Sequence, residues 1–172
     1  RKYRVFDIIK KNKPDIIGMQ EALIGQINFL DSALNDYYWV GVGREDGYNK
    51  GEFSPIFYLK ERFELIAKGT FWLSTTPYKP SKGWDAALNR VCTWAQLKDL
   101  NSGQLFYVYN THFDHIGQDA RYESTKLILK RIREETGDFP VLLIGDFNYT
   151  SSSDGYKFLT DTSDEKMLYD AQ

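Results

Sequence analysis

One short segment, residues 140–148 (Pro-Val-Leu-Leu-Ile-Gly-Asp-Phe-Asn), constrains the fold of this chain more than any other. Val141 to Ile144 is an uninterrupted apolar run, which is typical of a strand buried on both faces of a sheet. Gly145 ends the run, and the polar residues Asp146 and Asn148 follow at once. In open α/β sheets, reactive groups gather at the ends of such strands. The segment therefore predicts an α/β domain with functional groups after this strand, although an Asx turn is the simpler interpretation of these few residues alone.

Two further strands are predicted to end in polar side chains. Residues 15–20 have the pattern of a buried strand that delivers Glu21 at its carboxyl end. Leu105 to Tyr109 has the pattern of another strand, and it is followed by His112 and Asp114. Each of these residues alone is most simply a structural or solvated side chain. Three such strand ends in one chain predict a shared polar site, because the ends of neighbouring buried strands meet at one edge of a sheet.

The size and charge of the chain limit its architecture and its partners. Its 172 residues suffice for one domain with a sizeable core, and 42% hydrophobic with 27% charged residues is an ordinary globular composition. The formal net charge of −2 gives no basic field for nucleic acid, although a metal and a few arginines can still hold phosphates. The single cysteine, Cys92, lies in a strand-like run and is predicted to be a buried thiol.

The remaining patterns predict a single α/β domain with sheets at its centre and helices outside. Val5, Ile8 and Ile9 form the apolar stripe of a first helix over residues 1–12. Thr70 to Ala87 is rich in Pro, Ser, Thr and Trp and is predicted to be a long surface loop. We expect a soluble protein without a transmembrane segment, either cytoplasmic or exported, and the compartment stays open because the chain starts without a methionine. Further helices are predicted over residues 23–36 and 118–135 and near Phe158, and further strands over residues 38–42, 53–59, 63–67 and 91–98.

The residue types at the strand ends favour a hard-metal site with a neighbouring imidazole. Carboxylate oxygens such as those of Glu21 suit Mg²⁺, and a histidine can act on a proton or a phosphate. Asp146 and Asn148 can orient a water and stabilise a developing oxyanion. Zinc is disfavoured, because His112 and His115 are three residues apart on a predicted loop and no Cys pair accompanies them.

Three motifs together resemble those of the endonuclease/exonuclease/phosphatase superfamily. They are Gln20-Glu21, Asn110-Thr111-His112 and Gly145-Asp146-Phe147-Asn148, in this order and at these intervals. Residues 51–58 and 81–90 further resemble a bacterial branch of that superfamily, whose substrate the sequence does not name. The resemblance covers essentially the whole chain and implies a four-layered α/β/β/α sandwich of two mixed sheets flanked by helices. It also implies Mg²⁺-dependent hydrolysis of a phosphoester, with Mn²⁺ or Ca²⁺ as alternative ions.

The resemblance gives a role to five side chains. Glu21 matches the glutamate that binds the metal, and His112 matches the histidine that contacts the phosphate or assists the leaving group. Glu52 matches the acidic partner that orients such a histidine in the deoxyribonucleases. Asp146 matches the residue that aligns the attacking water, and Asn148 the one that stabilises the transition state.

The sequence departs from the family pattern at both ends. The family begins with a strand that ends in an asparagine near the metal, and it closes with an Asp-His pair whose histidine polarises the water. This sequence contains only His112 and His115, both within one motif. We therefore expect residues 1–172 to be a single domain that is incomplete at both ends. A non-catalytic binding relative, or an inactive fragment of the enzyme, is the alternative, although a binding module has no need of all five side chains.

The predicted substrate is a phosphoester: a nucleic acid, a phospholipid headgroup or a small phosphate ester. Arg44, Arg90 and Arg121 can hold phosphate oxygens through the guanidinium fork. Asp114 is a further candidate for the substrate site, and Trp84 in the aromatic loop can stack on a base or a sugar. A surface ion pair for Arg121 and simple packing for the loop aromatics are the structural alternatives. No lysine cluster tracks a nucleic-acid backbone, and we expect a monomer.

Overall fold

The computed structural model describes residues 2–160 and 168–171, which form two sheets with helices on their outer faces. The helices are α1 (Lys2–Asn12), α2 (Ile24–Ala33), α3 (Gln118–Glu135) and α4 (Asp154–Leu159). The strands are β1 (Ile16–Gly18), β2 (Tyr37–Val40), β3 (Ile56–Leu59), β4 (Phe63–Trp72), β5 (Val91–Asp99), β6 (Leu105–His112) and β7 (Val141–Asp146). The predicted bounds of α3 are confirmed, whereas the predicted start of α1 at Arg1 lies outside the described residues.

Strand pairing gives two sheets of different character. β1, β3 and β2 form a three-stranded antiparallel sheet in that order. β4, β5, β6 and β7 form a four-stranded sheet, in which β6 and β7 run parallel and the other neighbours antiparallel. The predicted α/β class with two sheets and flanking helices is confirmed. Mixed pairing was expected in both sheets, but the three strands described in the first sheet are all antiparallel.

Three apolar clusters join the layers in the order helix, sheet, sheet, helix. Ile27 of α2 packs with Phe57 on the outer face of the three-stranded sheet. Ile56 and Val108 lie in the cluster between the two sheets, and Ile128 of α3 lies in the cluster on the outer face of the four-stranded sheet. Each fully buried side chain of this size contributes about 1.5–3 kcal/mol. Apolar burial therefore sets the four-layered sandwich that the resemblance implied.

The alternation of side chains along β6 decides which residues reach the open end of the sandwich. Tyr107 and Tyr109 belong to the cluster with α3, whereas Val108 belongs to the cluster between the sheets. Because side chains alternate with a period of two, Asn110 and His112 lie on the same side as Val108. Both residues therefore point into the space between the sheets, at the end where β6 stops.

Strand β7, which contains the apolar run Val141 to Ile144, is less buried than its sequence predicts. It is the outermost described strand of its sheet, with β6 as its neighbour. Leu142 on this strand remains 49% exposed, although Ile144 packs against the cluster between the sheets. The prediction of a strand buried on both faces is therefore wrong for the part of the chain described. An apolar run of four residues fits an outermost strand as well as a central one.

Two strands continue beyond their predicted ends. β4 extends to Trp72, so the loop expected from Thr70 begins only after that residue. β6 extends to His112, because β7 offers it a parallel partner as far as Asp146. Phe71 and Trp72, which were expected in that loop, are buried side chains of β4, at 2% and 6% exposure.

Burial confirms one predicted core residue and corrects another. Cys92 is fully buried, as its strand-like surroundings predicted, and burial raises the pKa of its thiol. Ile8 is 61% exposed, and α1 instead buries Ile9 with Val5 and Phe6 beside it. Among the helices described, none is long and apolar enough to cross a membrane.

Candidate active site

The ends of β6 and β7 bring the predicted histidine and aspartate together. In the parallel register His112 lies beside Asp146, and the backbone N of Phe113 donates a hydrogen bond to the Asp146 carbonyl at 2.8 Å. His112 Nε2 and Asp146 Oδ2 are 3.9 Å apart. His112 is 8% exposed, whereas the Asp146 side chain is 55% exposed. A nearly buried imidazole thus lies beside a water-accessible carboxylate, which suits proton transfer at a bound water.

The backbone after β7 orients Asp146 and Asn148. Gly145 has a φ of 151°, and a Cβ there would collide with the Thr111 carbonyl of β6, so the position requires glycine. Asn148 has a left-handed φ of 48°, and its backbone N donates to Asp146 Oδ1 at 3.0 Å. Its side-chain Nδ2 donates to the Phe113 carbonyl at 2.9 Å. The Asx turn that was the simpler interpretation is present, and it fixes both side chains at the mouth of the sandwich.

Glu21 reaches the same region from the other sheet. It follows β1 with a left-handed φ of 57°, a conformation that is costly for a non-glycine residue and is commonest at functional sites. Its neighbour Gln20 donates through Nε2 to Asn110 Oδ1 at 2.7 Å. Asn110 Nδ2 in turn donates to the carbonyls of Met19 and Pro55, both at 2.9 Å. The fully buried amide of Asn110 therefore ties β6 to the chain segment that carries Glu21.

Glu52 and Arg44 form an ion pair within the site. Arg44 Nη1 donates to Glu52 Oε2 at 2.6 Å, and Arg44 is only 9% exposed. Trp72 Nε1 donates to the Arg44 carbonyl at 2.6 Å, which anchors this loop on the end of β4. The resemblance made Glu52 the orienting partner of His112. In the structure Glu52 accepts its hydrogen bond from Arg44, and its negative charge acts on His112 from a distance.

Arg90, just before β5, is held on two sides. Its Nε lies 3.3 Å from Asp114 Oδ2, and its Nη2 lies 3.1 Å from His115 Nδ1. Both members of the ion pair are buried, with 4% exposure for Arg90 and 2% for Asp114. Asp114 Oδ1 also accepts hydrogen bonds from the backbone amides of Ile116 and Gly117, at 3.0 and 2.9 Å. The two predicted substrate-site residues thus form one hydrogen-bonded unit.

Burial and neighbouring charges set the protonation of this site. Burial, followed by the positive charge of Arg90, lowers the pKa of His112 below its usual 6.5, so the imidazole is neutral near pH 7. Burial acts to raise the pKa of Asp114, but hydrogen bonds from backbone amides and from Arg90 outweigh it and hold that pKa well below its ordinary range. Burial also lowers the pKa of Arg90, yet a guanidinium remains charged at physiological pH.

A small pocket gathers half of the ten predicted site residues. It is lined by Glu21, Arg44, Glu52, Phe53, Ser54, Arg90, Val91 and His112. An open cleft of about 650 Å³ lies on the side of Asn148 and includes Arg121. Arg121 Nη1 donates to the Asp114 carbonyl at 3.0 Å, which is a backbone contact rather than the surface ion pair considered from sequence. Trp84 is 37% exposed and lines neither cavity, so its stacking role stays a prediction.

The carboxylates in the pocket fit a hard divalent cation. Glu21 and Glu52 both line it. Mg²⁺ is usually held by one or two carboxylates, with waters and substrate phosphate at its other positions. Within residues 2–160 and 168–171, no group of three or more His, Cys, Asp or Glu side chains could hold an ion by itself.

Sequence reasoning missed two contacts that shape the site. Asn110 belonged to a recognised motif, but its role as a tie between the sheets was not predicted. The sequence did contain a sign of this role, because Asn110 follows Val108 by two residues and so lies on the same buried face of β6. The contact between His115 and Arg90 joins residues 25 positions apart, and no local pattern indicates it.

The fold and the polar pocket at its mouth place the chain among the two-sheet α/β sandwiches. The sequence profile of the Endonuclease/Exonuclease/phosphatase family matches residues 2–167, so the chain belongs to that family. The resemblance that the three motifs indicated is confirmed. Members of this family are hydrolases that act on phosphoesters.

Three relatives illustrate the similarity. The structure of an endonuclease/exonuclease/phosphatase from Bacteroides vulgatus is 43% identical with a TM-score of 0.92, covering 97% of this chain and 64% of that one. A mannosyl-6-phosphatase from Bacteroides thetaiotaomicron is 41% identical with a TM-score of 0.88, covering 91% of this chain and 60% of that one. Nocturnin from Drosophila melanogaster is 28% identical over 161 residues, which are 86% of this chain and 24% of that protein. The chain thus spans less than two thirds of each relative.

Proposed function

We propose that this protein is a divalent-metal-dependent phosphoester hydrolase that uses water as the nucleophile. The observation that carries the proposal is the placement of His112 beside Asp146 at the ends of adjacent parallel strands. Glu21 and Arg90 line the same pocket as His112, so a candidate metal ligand and a fixed positive charge lie next to this pair. Family membership supports phosphoester hydrolysis as the reaction class.

Asp146 aligns the attacking water in this proposal. Its Oδ1 accepts a hydrogen bond from the backbone N of Asn148, which fixes the plane of the carboxylate. Its Oδ2 faces His112 and is positioned to accept a hydrogen bond, and then a proton, from a water molecule. A positioned acid or base of this kind contributes about 10²–10⁴-fold to a rate.

His112, Asn148 and Arg90 stabilise the charge that develops on the phosphoryl group. A neutral His112 can donate a hydrogen bond to the phosphate or to the departing oxygen. Asn148 uses one amide hydrogen for the Phe113 carbonyl and keeps the other for a phosphoryl oxygen. Arg90 brings a buried guanidinium, whose hydrogen bonds to phosphate are strengthened by its charge.

Glu21, with Glu52 near it, is the proposed holder of Mg²⁺, or of Mn²⁺ or Ca²⁺ in its place. When bound, such an ion supplies Lewis acidity toward a phosphoryl oxygen. The ion pair between Glu52 and Arg44 orients the Glu52 carboxylate at the pocket wall.

A small phosphate monoester, such as a sugar phosphate, is the first substrate to try. The relative described as a mannosyl-6-phosphatase shares 41% identity with this chain. The net charge of −2 provides no general attraction for a polyanion such as nucleic acid. Nucleic acids and phospholipid headgroups are the other two substrate classes to compare.

The test is hydrolysis of a panel of phosphoesters by the full-length protein, measured for each substrate as the alcohol, phenol or cleaved strand that is released. The panel contains a sugar phosphate, a simple aryl phosphodiester, an oligonucleotide and a phospholipid headgroup ester, each assayed with EDTA and again after Mg²⁺ is restored. We expect hydrolysis of at least one class, its loss in EDTA, and its recovery with Mg²⁺. Hydrolysis that EDTA leaves unchanged would exclude a metal requirement. The absence of hydrolysis for every class in the panel would exclude the proposed enzymatic function.

A further inference from the structure

The three arginines predicted to contact phosphate differ in how their guanidinium groups are used. Arg44 Nη1 donates a hydrogen bond to Glu52, and Arg121 Nη1 donates one to the backbone carbonyl of Asp114. Arg90 is held through Nε and Nη2, while its Nη1 makes no hydrogen bond within the described residues. Arg90 is therefore fixed along one edge and keeps a donor for a ligand in the pocket that His112 also lines.

We propose that His115 is a positioning residue for the phosphate-binding guanidinium of Arg90, an inference that rests on the proposed function. His115 Nδ1 lies 3.1 Å from Arg90 Nη2. A guanidinium has only donors, so Nδ1 is the acceptor and the ring proton lies on Nε2. His115 is exposed, so its place in the motif does not come from core packing.

Asp114, the other residue that contacts the Arg90 guanidinium, is itself rigidly held. Asp114 is 2% exposed, and its carboxylate accepts hydrogen bonds from the backbone amides of Leu88, Ile116 and Gly117. Its bond to Arg90 Nε is long, at 3.3 Å, and fixes only one end of the guanidinium. Because His115 follows Asp114 directly, a single turn after β6 supplies both acceptors and sets the plane of the whole group.

A fixed plane matters for binding a tetrahedral phosphate. An unrestrained arginine side chain loses rotamer entropy when a ligand orders it. An arginine that the protein has already ordered avoids part of that loss on binding, which is preorganisation. The ligand chemistry that fits the open Nη1 is a phosphoryl oxygen, from an ester or from inorganic phosphate.

Three variants of the full-length protein test the assignment with inorganic phosphate as the probe. His115→Ala removes the acceptor, and His115→Asn restores one, because the amide oxygen can take the place of Nδ1. Arg62→Gln is the control, since Arg62 pairs with Asp99 at the far end of β5. Phosphate affinity is measured by calorimetry, and KM and kcat are measured on the best substrate of the panel.

His115→Ala should weaken phosphate binding and raise KM by about tenfold, the size expected for one hydrogen bond, with kcat little changed. His115→Asn should recover most of the loss, and Arg62→Gln should match the wild type. In an Arg90→Lys background, His115→Ala should have almost no further effect, because the two residues act as one unit.

Equal phosphate affinity in His115→Ala and the wild type would overturn the proposal, and so would the absence of any phosphate binding by the wild type. A full additional loss in the Arg90→Lys background would also overturn it, because His115 would then act independently. Failure of the proposed function gives a different result, in which no phosphoester is hydrolysed while phosphate binding and its dependence on His115 persist.

Discussion

The two halves of the candidate site are built in different ways. His112 and Asp146 stand on adjacent parallel strands, where the ladder of backbone hydrogen bonds fixes their spacing. Glu21 stands beyond a strand of three residues, in a left-handed conformation. Beside it, Ala22 and Phe53 form an isolated bridge instead of a continued ladder. One half is held by secondary structure, and the other by a few specific contacts.

This difference assigns different tasks to the two halves. Atoms that take part in proton transfer must be placed to within about 0.5 Å, which regular strands achieve well. A carboxylate that shares an ion with waters and substrate tolerates a less regular frame. Asn110 then becomes important, because its three hydrogen bonds connect the regular half to the irregular one.

The largest effect is expected in the regular half of the site, which contains His112 and Asp146. Asp146→Asn or His112→Ala should lower kcat by about 10²–10⁴-fold, because each removes a group that acts on the reacting atoms. The circular dichroism spectrum and melting temperature should stay close to those of the wild type. Asp138→Asn, an exposed carboxylate before β7, is the matched control and should keep full activity. Near-normal turnover in either site variant would remove this half from the mechanism.

A smaller effect of a different kind is expected at Glu21. Glu21→Gln should raise the Mg²⁺ concentration for half-maximal activity by about 10- to 100-fold, the range seen when groups around a metal are altered. Activity at saturating Mg²⁺ should fall less than in Asp146→Asn. Glu64→Gln on β4 serves as the control for a carboxylate outside the site. An unchanged metal titration would exclude Glu21 as a ligand.

The third prediction concerns Asn110, whose hydrogen bonds connect the two halves of the site. Asn110→Ala should lower the free energy of unfolding by about 1–3 kcal/mol or more, because the carbonyls of Met19 and Pro55 lose a buried donor. It should also raise the Mg²⁺ requirement, since the segment before Glu21 is no longer anchored. Urea unfolding and a metal titration measure the two effects, with the exposed Asn101→Ala as control. A stability loss without any change in the metal requirement would show that the two halves are independent.

The smallest predicted effect is on the titration of His112. Its pKa lies below 6.5 because of burial first and the positive charge of Arg90 second, so Arg90→Gln should raise that pKa while burial still holds it below 6.5. With two histidines in the sequence, His115→Ala assigns the imidazole NMR signals. The folded protein binds this proton less tightly than the unfolded chain does, so stability should fall as the pH drops through 6.5 and level off below the folded pKa. A His112 pKa above 6.5 in the wild type would contradict this account.

Much of the regular half could be predicted from sequence, because its signals are local. The apolar run before Asp146 and the strand pattern of Leu105 to Tyr109 predicted two strands, although β6 continues to His112. The strand predicted over residues 91–98 is present as β5, and Val91, Thr93, Ala95 and Leu97, which alternate along it, are all buried. The serine-rich segment before α4 likewise contained its cap, Ser153, whose hydroxyl accepts a hydrogen bond from the backbone N of Tyr156.

The irregular half could not be predicted to the same depth, because its contacts join distant positions. Residue type could not show that Glu52 accepts from Arg44 or that His115 holds Arg90. The extension of β4 through Lys68 and Gly69 was also missed, since these residues interrupt the apolar pattern while pairing with β5 continues.

The measurement that tests the central claim most directly is hydrolysis of the best phosphoester in water enriched in heavy oxygen. If a water aligned by Asp146 attacks phosphorus, the phosphorus-containing product of one turnover should carry one heavy oxygen atom and the alcohol product none. Asp146→Asn should slow the reaction without changing this pattern. Label in the alcohol, or hydrolysis at full rate in Asp146→Asn, would contradict the proposed attack at phosphorus.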